Sequence, residues 1–265
     1  MSIQEMYEGH TENDRTDQNG SIPIHIVFQI IEVCVCAFLV TFFGFQRYRG
    51  RCGWEVLYVS VVTPIGYILT MSLPAEYSAL QLENGSTFFW FRYAGWFATC
   101  PIMLELLCRV VVPRKPSTDL LMRILICDLL LLISGITAAV MKDLIFKFVA
   151  YASGGFMQII IYLTIFRVWQ LSNDSKRGIP SKQSAYRRNI MIFTFVTWLI
   201  FPILFMLGPE TFHVISLEWS IVGHVIGDLL AKNLYAFMSW HFRNVFMKDE
   251  RNRAGHGESM TTVAT

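Results

Sequence analysis

Gly227-Asp228-Leu229-Leu230-Ala231-Lys232-Asn233 lies inside the last long apolar run of this 265-residue chain. An amine and a carboxylate are costly to keep at that depth in lipid, and they are rare there without a function. Their i, i+4 spacing sets Asp228 and Lys232 on one helix face, where the carboxylate can sit against a cation on the lysine nitrogen. Such an amine is suited to hold a covalently bound group, and the rest of the chain should then form its container.

The container is a membrane one. The chain is 54% hydrophobic and 14% aromatic, with a mean hydropathy of +0.44, more apolar than a soluble domain of this size. Seven runs reach the roughly 20 residues that a bilayer crossing takes: 22–45, 54–74, 88–110, 119–141, 145–169, 189–208 and 215–240. Pro101 and Pro202 fall in the third and sixth, where neighbouring helices can satisfy the freed backbone groups. The expected fold class is all-α, a seven-transmembrane-helix bundle spanning 21–246, with polar tails at 1–20 and 247–265. The longest internal loop is expected at about 172–186. No internal repeat is evident, the first apolar run is a full span and no cleavable signal peptide precedes it, and the tails are too short for a catalytic domain.

Lys and Arg give the orientation. With the N-terminus extracellular and the C-terminus cytoplasmic, 17 of the 22 basic side chains fall on the inner side, from Arg47 to Arg253. Arg15, Lys142 and Lys147 fall outside, and Arg92 and Lys232 lie within spans. The sequons at Asn19 and Asn84 fall on the outer side, that at Asn173 inside. The six cysteines form neither a zinc site nor a disulfide framework, and a net charge of +2 points to no nucleic-acid partner.

Span 3 reads Phe91-Arg92-Tyr93-Ala94-Gly95-Trp96-Phe97-Ala98-Thr99-Cys100-Pro101, and span 6 contains Trp198-Leu199-Ile200-Phe201-Pro202-Ile203-Leu204-Phe205. With the span 7 lysine, these resemble the microbial rhodopsins, seven-helix proteins that bind retinal as a Schiff base on a lysine. Cys52-Gly53-Trp54-Glu55, Leu207-Gly208-Pro209-Glu210 and Gly223-His224 narrow the resemblance to the channelrhodopsins. The resemblance implies all-trans retinal on Lys232 with Asp228 as counterion, and Trp96, Thr99 and Cys100 beside the polyene. Trp198, Phe201, Phe205 and Tyr151 offer flat aromatic walls, and Gly135 and Gly155 leave room near the ring end. Gly154-Gly155 also reads as a helix-contact site. Cys100 and Asp128 match a gating pair of the family.

Position 95 bears most on function. Outward pumps of the family carry an aspartate there to accept the Schiff-base proton; here it is glycine. Leu106 takes the donor position, and its neighbour Glu105 points about 100° away on a helix. Cation channels line span 2 with acids, whereas the matching places here hold Thr63, Thr70 and Pro74. A pathway with Gln29, Thr63, Gly95, Asn233 and Arg92, few carboxylates and one acid in span 1 (Glu32) lowers the barrier for anions. Arg92 also reads as a side chain snorkelling outward.

The expectation is therefore a light-gated passive channel for chloride or other small anions, like the anion channelrhodopsins. It would be a multi-pass protein of the plasma membrane, in the lipid bilayer, and a homodimer. A cation-conducting channel, potassium-selective ones included, and a sensory rhodopsin without conductance stay open. A G-protein-coupled receptor would show Asp/Glu-Arg-Tyr and Asn-Pro where this chain has Leu107-Cys108-Arg109 and Met238-Ser239-Trp240. An enzyme would need a clustered acid or histidine site beyond the one assigned.

Overall fold

Ile24–Tyr48 (α1) holds no proline and ends just before Gly50, whose positive φ of 69° closes the helix. There Arg51 N–H donates to Gln46 O at 2.8 Å and Gly50 N–H to Arg47 O at 2.9 Å, satisfying carbonyls that a helix end leaves free. The computed structural model describes residues 22–74, 77, 79–82, 87–111, 117–174 and 181–245. After α1 come α2 (Trp54–Ser72), α3 (Trp90–Val111), α4 (Thr118–Val140), α5 (Leu144–Asp174), α6 (Ser181–Trp198), α7 (Ile200–Leu207) and α8 (Leu217–Asp228). Ser117 caps α4 by accepting from Leu120 N–H, and Ser216 caps α8 by accepting from Trp219 N–H.

Among the described residues six stretches are long and apolar enough to cross a bilayer, α6 and α7 forming one of them at Lys182–Leu207. The seventh begins with α8, passes through a π-helical turn at Leu229–Leu234 and continues as helix through 235–245. The molecule is a seven-transmembrane-helix bundle. Two features depart from the sequence expectation. A two-residue antiparallel hairpin, β1 (Leu80–Gln81) with β2 (Thr87–Phe88), stands between α2 and α3. The expected loop at 172–186 is mostly helix, because α5 runs to Asp174 and α6 starts at Ser181. The tails and the sequons at Asn19 and Asn84 lie outside the described residues.

Successive helices pack side by side, and the last helix closes the bundle against α1 and α7. Lipid tails are as apolar as leucine, so close van der Waals contact and polar bonds hold such helices together. Gly223 and Gly227 allow the approach to α7: a Cβ at Gly227 would stand 3.0 Å from the Phe201 ring, and one at Gly223 would overlap Leu204. Gly154 and Gly155 divide the two roles open to them. A Cβ on Gly154 would press on Ser134 of α4, whereas one on Gly155 would meet nothing within 4 Å.

Pro202 has no N–H to give to Trp198 O, four residues earlier, and the helix breaks at Leu199. Gln158 of α5 supplies the donor instead, with Nε2 at 3.4 Å from Trp198 O. Tyr151 O–H donates to Pro202 O at 3.1 Å and Tyr162 O–H to Phe195 O at 3.0 Å. Three α5 side chains thus fasten the broken helix.

Candidate functional site

The π turn holds Lys232. Tyr235 N–H reaches back five residues to Leu230 O, the one-turn widening that often marks functional positions. Lys232 Nζ lies 2.9 Å from Asp228 Oδ1, and both side chains are almost fully buried. Tyr67 O–H from α2 donates to the other oxygen, Oδ2, at 2.8 Å. Asp228 is therefore shared between an ammonium and a phenol, which spreads its negative charge over two partners.

A cavity opens from Lys232 toward α4 and α5. Trp96, Cys100, Trp198, Phe201, Phe205 and Tyr151 line it, with Asp128, Gly135 and Gly155. Tyr93, Met103, Leu131, Leu132 and Gln158 line it too and were not singled out. Trp96 meets Phe201 edge-on at 5.4 Å, and Tyr151 stacks on Phe205 at 6.0 Å with 5° between the planes. Thr99, expected beside the polyene, is buried, and its hydroxyl donates to Gly95 O at 2.8 Å. Cys100 and Asp128 face the same cavity, and Asp128 Oδ2 is buried with no hydrogen-bond partner among the described residues.

A second, more polar cavity lies on the other side of Lys232. Gln29, Thr63, Thr70, Arg92, Gly95, Asp228 and Lys232 line it, with Tyr67 and His224. Glu32 and Asn233, expected on the same pathway, stand off it. Asn233 Nδ2 donates to Glu32 Oε1 at 2.8 Å between α1 and the last helix, with the Cys36 thiol in contact with both. Arg92 does not snorkel. Its guanidinium pairs with the buried Glu210 carboxylate at 2.7 Å, and Lys147 Nζ donates to Glu210 O at 3.1 Å. Lys147, expected on the outer side, belongs to the first turn of α5 and is buried.

At the opposite end of the bundle the buried Glu55 carboxylate joins Arg109 at 3.0 Å and Arg243 at 3.4 Å. Glu105 pairs with Arg109 at 2.5 Å, so it turns to this cluster rather than toward Lys232. Cys52 borders the same region, and burial pushes its thiol up to about 11. Sequence reasoning missed Tyr67, Arg109, Arg243 and the partner of Arg92. Tyr67 stands one turn from Thr63 and could have been found by that spacing, whereas the ion pairs join residues 54 to 188 positions apart.

The family model for bacteriorhodopsin-like proteins matches residues 21–246. The chain is a bacteriorhodopsin-like protein. This rhodopsin is 24% identical over 200 residues to bacteriorhodopsin-II of Haloarcula marismortui, covering 70% of this chain and 77% of that one. In structure it is similar to the red light-activated channelrhodopsin Chrimson, with a TM-score of 0.74 and 24% identity over 89% of this chain and 83% of that one. It is also similar to bromide-bound halorhodopsin of Halobacterium salinarum, with a TM-score of 0.70 and 18% identity over 84% of this chain and 94% of that one. These structural likenesses speak to the fold. The matched family carries retinal on a lysine, and the residues here fit that group. The buried amine has its carboxylate, the aromatic-lined cavity opens from it, and a Cβ at Gly155 would still find open space.

Proposed function

We propose that this rhodopsin is a light-gated passive channel for chloride and other small anions. Gly95 carries the reading: the polar cavity beside the Lys232–Asp228 pair has no carboxylate on its α3 wall. Direct outward pumping by the family's usual route then lacks its acceptor. Gln29, Thr63, Thr70 and Arg92 give that cavity neutral and cationic walls, which lower the barrier for anions.

Bound to Lys232, all-trans retinal would supply a light-isomerised polyene and a positive charge on the lysine nitrogen. Asp228, steadied by Tyr67, holds the negative charge against that nitrogen. Trp96, Trp198, Phe201, Phe205 and Tyr151 wall the dry slot, and Gly135 and Gly155 leave room at its far end. Cys100 and Asp128, facing the slot together, couple its shape to gating. The Asn233–Glu32–Cys36 contact and the Glu55–Arg109–Arg243 cluster are the closures that part when α1, α2, α3 and the last helix separate. The N-terminus faces outward, the Arg109 end faces the cytoplasm, and the protein acts as a homodimer in the plasma membrane.

Voltage-clamped cells given retinal test this. Light-evoked current should reverse at a potential that follows bath chloride when chloride is replaced by a large anion. The Arg92–Glu210 pair supports a second reading, because it cancels the fixed positive charge of the cavity. Reversal that follows sodium or potassium would establish that reading, and a retinal-loaded protein without current would make it a sensor.

A further inference from the structure

His224 is 2% exposed and stands in the column Ser220, His224, Asp228, Lys232, which i, i+4 spacing sets along one helix face. Its Nδ1 lies 2.7 Å from Ser220 O. A carbonyl oxygen only accepts, so Nδ1 carries the hydrogen and Nε2 of the neutral ring is a bare acceptor. Nε2 is buried with no hydrogen-bond partner among the described residues. A buried polar atom of that kind calls for an explanation. Trp96 stacks on the ring at 5.9 Å and Phe201 lies at 6.1 Å, which fixes its direction.

The titratable and charged groups that line the cavity with His224 are Tyr67 of α2, Arg92 of α3, and Asp228 and Lys232 of its own helix. Glu210 pairs with Arg92 at 2.7 Å and offsets part of the charge that a protonated imidazole would face. Both Asp228 oxygens are already engaged, one by Lys232 and one by Tyr67. Gly95 leaves the cavity open on the α3 side, since a Cβ there would meet nothing within 4 Å.

We infer that His224 is the proton acceptor of this cavity, in the role that Gly95 leaves vacant. The inference rests on the reading that Lys232 carries retinal. His224 and Lys232 stand two helical turns apart, about 12 Å of rise, so the proton crosses the cavity through water. The N–H bond at the Lys232 nitrogen breaks with its electron pair left on that nitrogen, each relaying water takes up one proton and gives up another, and the last bond forms from the Nε2 lone pair. Nδ1 keeps its hydrogen on Ser220 O, and the positive charge passes from the lysine nitrogen to the ring. Asp228 stays a carboxylate. The net charge of the cavity is unchanged by this step; its positive charge moves along the wall from Lys232 to His224.

Solid-state nitrogen NMR of histidine-labelled protein tests this, with the His224 resonances identified by their loss in His224→Asn. Before retinal is added, Nδ1 should be protonated and Nε2 bare. After loading and illumination at low temperature, both ring nitrogens should be protonated. His224→Gln should slow proton loss from the Lys232 nitrogen by about tenfold or more. If that variant does not fold, the labelled native protein decides alone. A retinal-loaded protein whose ring stays as in the dark, with a carboxylic acid band that Asp228→Asn abolishes, overturns this inference. A protein that takes up no retinal overturns the underlying reading and the inference with it.

Discussion

Two carboxylates within about 4 Å of one nitrogen would raise its proton affinity sharply, whereas among the described residues Lys232 pairs with Asp228 alone, and that one is shared with Tyr67. A positive charge that is less tightly held spreads further along a conjugated chain. Gly95→Asp restores the second carboxylate where a side chain has room. It should move the visible absorption maximum to shorter wavelength and reduce the anion photocurrent several-fold, read by spectroscopy and voltage clamp on one preparation. An unchanged maximum would mean that position 95 does not face the lysine nitrogen.

At the scale of the element, the break between α6 and α7 is tied by Gln158, whose amide reaches both Trp198 O and the Tyr162 hydroxyl. Gln158→Leu keeps the bulk but leaves Trp198 O buried and unpaired. That should cost about 1–3 kcal/mol, seen as a lower thermal midpoint of the solubilised protein. The span with Pro202 was legible in the sequence, since a proline in an apolar run still reads as a crossing helix. The partner that repairs the break was not, because nothing local in α5 marks Gln158 as facing Trp198. The π turn was equally silent: its residues, Leu229–Leu234, have the composition of an ordinary helix. Lys232, Asp228 and most of the aromatic walls were legible, because charge in an apolar run and a short motif that resembles a known family are local signals. The true neighbours of Arg92 and Glu32 depend on which helices meet, and a single sequence does not record that.

At the scale of the whole molecule, ion pairs brace both ends of the bundle, Arg92–Glu210 at one end and Glu55–Arg109–Arg243 at the other. The second joins α2, α3 and the last helix, so it braces the helices that are proposed to part. Glu55→Gln removes the charge that both arginines share. It should lower the thermal midpoint and introduce a leak current in the dark. A stabilised protein with a tight dark state would show that the cluster does not close the pathway.

Trp96 and Lys232 line both cavities, the apolar one and the polar one. The indole is thus a bulkhead between an oily compartment and a watery one, and its area decides whether the two stay separate. Trp96→Ala would join them and let solvent wet the lysine linkage. Hydroxylamine should then bleach the dark protein at least about tenfold faster than the native one, as a well-packed aromatic wall excludes water by filling space. Seen this way, colour and leak-tightness depend on the same ring, and substitutions that retune one will disturb the other.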